Sequence, residues 1–179
     1  FDYGINFYDT AAMYGRSEEF IGMAFRRNRD RVVIATKCGL APDGARRFDR
    51  AFMVEHVERS LRRLQTDYID ILQMRGPSLK VIQQGDIFLT LEWMKRKGWI
   101  RYGGVSAATC EDAMTLARMN CVDTLQILYN ILDTRAEGRL LPLARRHRIG
   151  IIGMSPLSSG LLTGKIGERA KFRSEDDRN

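Results

Sequence analysis

The chain has 179 residues, 44% of them hydrophobic, which is enough for one sizeable core in one domain. Three cysteines (Cys38, Cys110, Cys121) and two histidines (His56, His147), without ligand spacing, exclude a disulfide framework and a zinc site, so no metal is expected. Twenty-nine basic against 22 acidic residues give +7, but only Arg26–Arg31 forms a cluster and no aromatics interleave with it, so no nucleic-acid partner is expected.

Ile5, Phe7 and Tyr8 form a short apolar run that predicts a buried strand, closed by Asp9 and Thr10. Ser17 is the expected N-cap of a helix from Glu18 to Arg27, striped by Phe20, Ile21, Ala24 and Phe25. The basic cluster that follows reads as a solvated helix end. Val32–Lys37 is a second strand, and residues 39–49 are loop-like. In the helix Arg50–Leu64, Met53, Val57, Leu61 and Leu64 share one face. Glu55–Arg59 and Glu58–Arg62 pairs are expected on the polar face, where His56 is also placed.

Tyr68–Met74 is a strand stopped by Arg75-Gly76-Pro77. A single helix is predicted from Val81 to Lys97, with Gly98 just beyond its end. Ile100–Val105 is a strand closed by Ser106, and Thr109 caps a helix reaching Met119. Strand Thr124–Tyr129, helix Leu140–Arg146 and strand Ile149–Met154 follow, the last broken by Ser155-Pro156. From Gly164 the chain reads as loop.

Strands apolar throughout and joined by helices imply a parallel sheet. No Gly-x-Gly-x-x-Gly follows any strand, whereas polar or charged residues close one strand after another: Asp9, Lys37, Arg75, Ser106, Ser155. A ring of such residues predicts an α/β (β/α)8 TIM barrel, incomplete with about six βα units, rather than a doubly wound sheet.

At these residues the sequence resembles the aldo-keto reductases. The resemblance is carried by Gly4–Glu19, Ala35-Thr36-Lys37, Asp67–Pro77, Gly98–Ser106, Leu125–Asn130 and Ser155–Lys165, in that order. It implies one barrel domain over residues 1–179, truncated at both ends, with the second to seventh strands present and raw edges on either side. It also implies an NADPH-dependent reduction of an aldehyde or ketone, with a small-molecule carbonyl substrate.

Spacing alone leaves two readings of Asp9, Tyr14 and Lys37: a structural ion pair beside a packed aromatic, or a proton-donating triad. The resemblance implies the second, with Tyr14 as proton donor, Lys37 lowering its pKa and Asp9 orienting Lys37. Arg75 stands where the family usually has histidine. It remains cationic, and three roles are open to it: pairing with Asp9 or a substrate carboxylate, stabilising an alkoxide, or spoiling the site. For the cofactor, the resemblance implies Ser106 and Gln126 at the nicotinamide carboxamide and Met154 against the ring. Ser155, Leu157, Ser159, Gly160 and Lys165 are implied along the pyrophosphate. Ala107 replaces a usual asparagine beside Ser106. Cys38 reads as a passive thiol.

The alternatives are an NADPH-binding regulatory or sensor module with little turnover, or a non-functional fragment. Unpaired cysteines, no apolar run long enough for a membrane and no signal-peptide pattern lead to the expectation of a cytoplasmic protein without a membrane partner. The sequence carries no signal of oligomeric state.

Overall fold

Short runs apolar on both faces alternate with amphipathic runs along this chain, and the backbone follows that alternation. The computed structural model describes residues 3–167, 170–172 and 176. Its strands are β1 (Phe7–Asp9), β2 (Val33–Cys38), β3 (Ile69–Arg75), β4 (Ile100–Ser106), β5 (Thr124–Leu128) and β6 (Gly150–Met154). All pair in parallel and in chain order, and the sheet curls into half of a barrel. The helices are α1 (Ser17–Phe25), α2 (Arg50–Leu64), α3 (Leu79–Gln84), α4 (Asp86–Arg96), α5 (Cys110–Met119) and α6 (Leu140–His147). Among the described residues no helix is long and apolar enough to cross a membrane.

Successive strand residues face opposite sides of a sheet, so the register sorts these strands into two faces. Ile34, Leu72, Met74, Val105, Leu125 and Ile127 join the core that also holds Met53, Val57, Met94, Leu116 and Leu140 from the helices. Full burial of each such side chain contributes about 1.5–3 kcal/mol. Asp9, Lys37, Gln73, Arg75, Ser106, Gln126 and Met154 have the other parity and share the inner face.

Several expectations are corrected. The opening strand is not buried: Ile5 and Phe7 are exposed, because β1 pairs only with β2 and nothing among the described residues lies on its other side. Ser17 does not cap α1. Arg16 holds that position, and the Ser17 hydroxyl instead accepts from Thr10 Oγ1 at 2.8 Å.

The helix expected over Val81–Lys97 is two, α3 and α4, broken at Gly85 with φ 79°. That left-handed conformation ends one helix and suits glycine. Glu55 and Arg59 pair as expected, but no Glu58–Arg62 pair forms among the described residues.

Arg29 is no solvated helix end. Its guanidinium donates to Thr66 Oγ1, the Val32 and Tyr68 carbonyls and Asp70 Oδ2, the last at 2.6 Å. Other local expectations hold. Thr109 accepts from Asp112 N at 3.0 Å as the cap of α5, and Gly98 follows α4 at φ 74°. The loop expected from Gly164 lies partly outside the described residues.

Candidate active site

Parallel pairing places the C-terminal ends of all six strands at one rim. Asp9 ends β1, and Lys37 lies one residue before the end of β2. Lys37 Nζ donates to Asp9 Oδ2 at 2.6 Å and to the Thr10 carbonyl at 3.0 Å. The lysine side chain is 3% exposed and that of Asp9 30%. An ammonium this deep requires both partners to offset its desolvation.

Tyr14 lies on the loop between β1 and α1, where its amide donates to the Ala11 carbonyl at 2.9 Å and its carbonyl accepts from Ser17 N at 3.1 Å. These turn bonds bring the Tyr14 ring to Lys37, whose Nζ is 5.3 Å from the ring centroid, a cation–π approach. Tyr14 is 45% exposed. The structure therefore brings Lys37 to Asp9, 28 residues away in sequence, and to Tyr14 on the loop that follows Asp9.

Arg75 ends β3, level with Ser106 of β4 and two residues from Gln73 on the same face. It is half-buried and forms no hydrogen bond or ion pair among the described residues. It does not pair with Asp9, whose carboxylate is held by Lys37. Arg75, Lys37, Met13 and His56 line one small crevice.

His56 is not on a solvated face: it is half-buried, and its Nε2 has no partner among the described residues. Burial pushes its pKa down, against an upward pull from Glu18. Burial pushes the Cys38 thiol up to about 12, which makes it a poor nucleophile and agrees with the passive reading.

For a nicotinamide carboxamide, this chain offers Ser106 and Gln126, which lie level with each other on β4 and β5 and are 8% and 2% exposed. Gln126 Oε1 is buried without a partner among the described residues. An orphaned buried acceptor is costly and suits the amide N–H of a carboxamide, so these residues fit the group. Ala107, 5% exposed, adds no polar side chain there.

Met154 ends β6 half-buried, and its carbonyl accepts from Tyr129 N at 3.3 Å. Beyond it the backbone is left-handed at Ser155, Ser158, Ser159 and Gly160. Asn130 Nδ2 donates to the Ser155 carbonyl at 3.0 Å and braces this turn. Leu157, Ser159 and Lys165 are exposed, whereas Ser155 and Gly160 are half-buried. The Ser158 and Gly160 amides bond within the turn.

Sequence reasoning missed two residues of the inner face. Gln73 is fully buried with neither amide atom partnered among the described residues, and Thr124 Oγ1 is likewise unpartnered. Gly104 lies between them in register, and a Cβ there would meet Thr124 Oγ1 at 2.0 Å. The available signal was a glutamine two residues before Arg75 and so on its face.

Comparison with known proteins gives the following. The family model described as "Aldo/keto reductase family" matches residues 1–179. The chain is similar to "Aldo-keto reductase YhdN" of Bacillus subtilis (strain 168), at 39% identity over 99% of this chain and 56% of that protein. Among solved structures, it is similar to the glycerol dehydrogenase AKR11B4 from Gluconobacter oxydans, with a TM-score of 0.84 and 32% identity over 99% of this chain and 57% of the other. An aldo-keto reductase from Klebsiella pneumoniae in complex with NADPH gives a TM-score of 0.74 and 33% identity, over 89% of this chain and 55% of that one. The chain thus spans a little over half the length of these relatives.

Proposed function

The chain belongs to the aldo/keto reductase family, and from that premise we propose that its strand-end rim is the active site of an NADPH-dependent reductase of aldehydes or ketones. The observation that carries this reading is the pairing of buried Lys37 with part-exposed Asp9, set against the ring of Tyr14. Such a pair at the catalytic rim of a parallel sheet is the right apparatus for handling a proton beside an oxygen atom.

When bound, a nicotinamide cofactor would supply the hydride for the carbonyl carbon. Tyr14 donates the proton to the oxygen. Lys37, held in place by Asp9 and the Thr10 carbonyl, sets its ammonium against the Tyr14 ring. Arg75 ends β3 on the same rim. Ser106 and Gln126 would hold the carboxamide, and Met154 would offer its polarizable thioether to the ring. Ser155, Leu157, Ser159, Gly160 and Lys165 would line the pyrophosphate, with Lys165 as its cation. The choice of NADPH over NADH is supported by the NADPH complex of the Klebsiella relative. Three thiols without disulfides suit a reducing compartment, and we assign the protein to the cytoplasm.

The test is NADPH and NADH fluorescence titration of the full-length protein, followed by reduction of 4-nitrobenzaldehyde. Replacing Tyr14 by Phe is expected to lower turnover by about 10²–10⁴ while leaving cofactor affinity unchanged. Unaltered turnover in that variant removes Tyr14 as proton donor. Cofactor binding without oxidation by any carbonyl makes the protein a regulatory or sensor module instead.

A further inference from the structure

Arg75 is a half-buried cation without a counter-ion among the described residues. Lys37 has already taken the nearest strand-end carboxylate, Asp9, at 2.6 Å. Arg46 brings another guanidinium close by, its Nη1 donating to the carbonyl of Gly76, the residue after Arg75. The rim around Lys37 and Arg75 therefore carries more positive than negative charge. A partly desolvated guanidinium is costly until an anion completes it, and its planar fork matches a carboxylate with two parallel hydrogen bonds.

The anion does not come from a cofactor phosphate in this geometry. Arg75 is level with Ser106 on β4 and, through it, with Gln126 on β5, at the carboxamide end of the proposed site. The turn assigned to the pyrophosphate leaves β6, three strands from β3, about 14 Å away at roughly 4.8 Å per strand.

We propose that Arg75 is a specificity residue that binds the carboxylate of the substrate, so that the preferred substrates are aldehydes or ketones bearing a carboxylate a few bonds from the carbonyl. This rests on the reductase reading above. The crevice that Arg75 shares with Lys37 is also lined by Ala11, Ala12, Met13 and His56.

The experiment is steady-state kinetics of the full-length protein with succinic semialdehyde and the near-isosteric neutral pentanal, reading the ratio of their kcat/KM values. The ratio is expected to favour the carboxylate by about 10–100-fold, the range for a charge-assisted hydrogen-bonded pair. Arg75→Met is expected to bring it towards one, whatever happens to the absolute rates, and Arg75→Lys to restore part of it. A ratio near one in the native protein, or one unmoved by Arg75→Met, overturns the proposal while pentanal turnover leaves the reductase reading intact. If neither aldehyde is reduced, the reductase reading falls. Calorimetric titration with succinate then decides the anion site: binding lost in Arg75→Met supports it, and no binding by the native protein overturns it.

Discussion

Lys37 and Asp9 meet across the first strand pair, Nζ to Oδ2 at 2.6 Å, with the lysine nearly inaccessible and the aspartate 30% exposed. Their meeting is a product of register: Asp9 lies level with Ala35, so the lysine two residues further on has the same parity and reaches back across the rim. Replacing Asp9 by Asn leaves the ammonium buried without its counter-charge, against neutral acceptors such as the Thr10 carbonyl. The expected loss is about 2 kcal/mol, below the 3–5 kcal/mol of a fully buried pair because Asp9 retains contact with water. Urea unfolding checks this, and a loss under about 0.5 kcal/mol would mean that solvent already compensates Lys37.

A larger cost is expected at Asp70. Its side chain is 4% exposed and accepts from Arg29 at 2.6 Å, from Ile34 N at 3.0 Å and from Arg101 at 3.0 Å. Asp70→Ala strips the half-buried Arg29 guanidinium of its charge partner and orphans a backbone amide between β2 and β3. The expected destabilisation is about 3–5 kcal/mol, read as a lower urea midpoint with unchanged slope. Wild-type stability in this variant would show that Arg29 is held by its carbonyl and hydroxyl acceptors alone.

His56 sets a pH dependence. Its folded pKa lies below the ordinary 6.5 because burial disfavours the imidazolium. The folded chain therefore binds fewer protons than the unfolded chain between the two pKa values. The stability contribution is present above pH 6.5 and is lost as pH falls from there through the folded pKa. His56→Gln should flatten the stability–pH profile in that window. An NMR titration of the imidazole in the folded protein gives the direct check, and a midpoint at or above 6.5 refutes the prediction.

Strand and helix order was legible in the sequence because burial on both faces, or on one stripe, leaves a local mark. The Asp9–Lys37 pair could be foreseen because both residues close strands that parallel pairing must bring to one rim. Other features left no local mark. Gly85 divides a segment whose apolar pattern runs straight through it, since one left-handed residue ends a helix without changing hydrophobicity. Arg29 finds Asp70 41 residues away, beyond any window in which a basic cluster can be read.

What the sequence by itself determined is the parallel strand–helix repeat and the polar residues at its strand ends, because both follow from spacing and side-chain type. What only the tertiary structure decided is which of those residues become partners. Lys37 holds Asp9 and leaves Arg75 without a counter-ion among the described residues, while Gln73, Thr124 and Gln126 turn unpartnered polar atoms to the inner face. Register between strands far apart in the chain sets those distances, and a charge is neutralised by whatever lies within a few ångströms rather than by its neighbours in sequence.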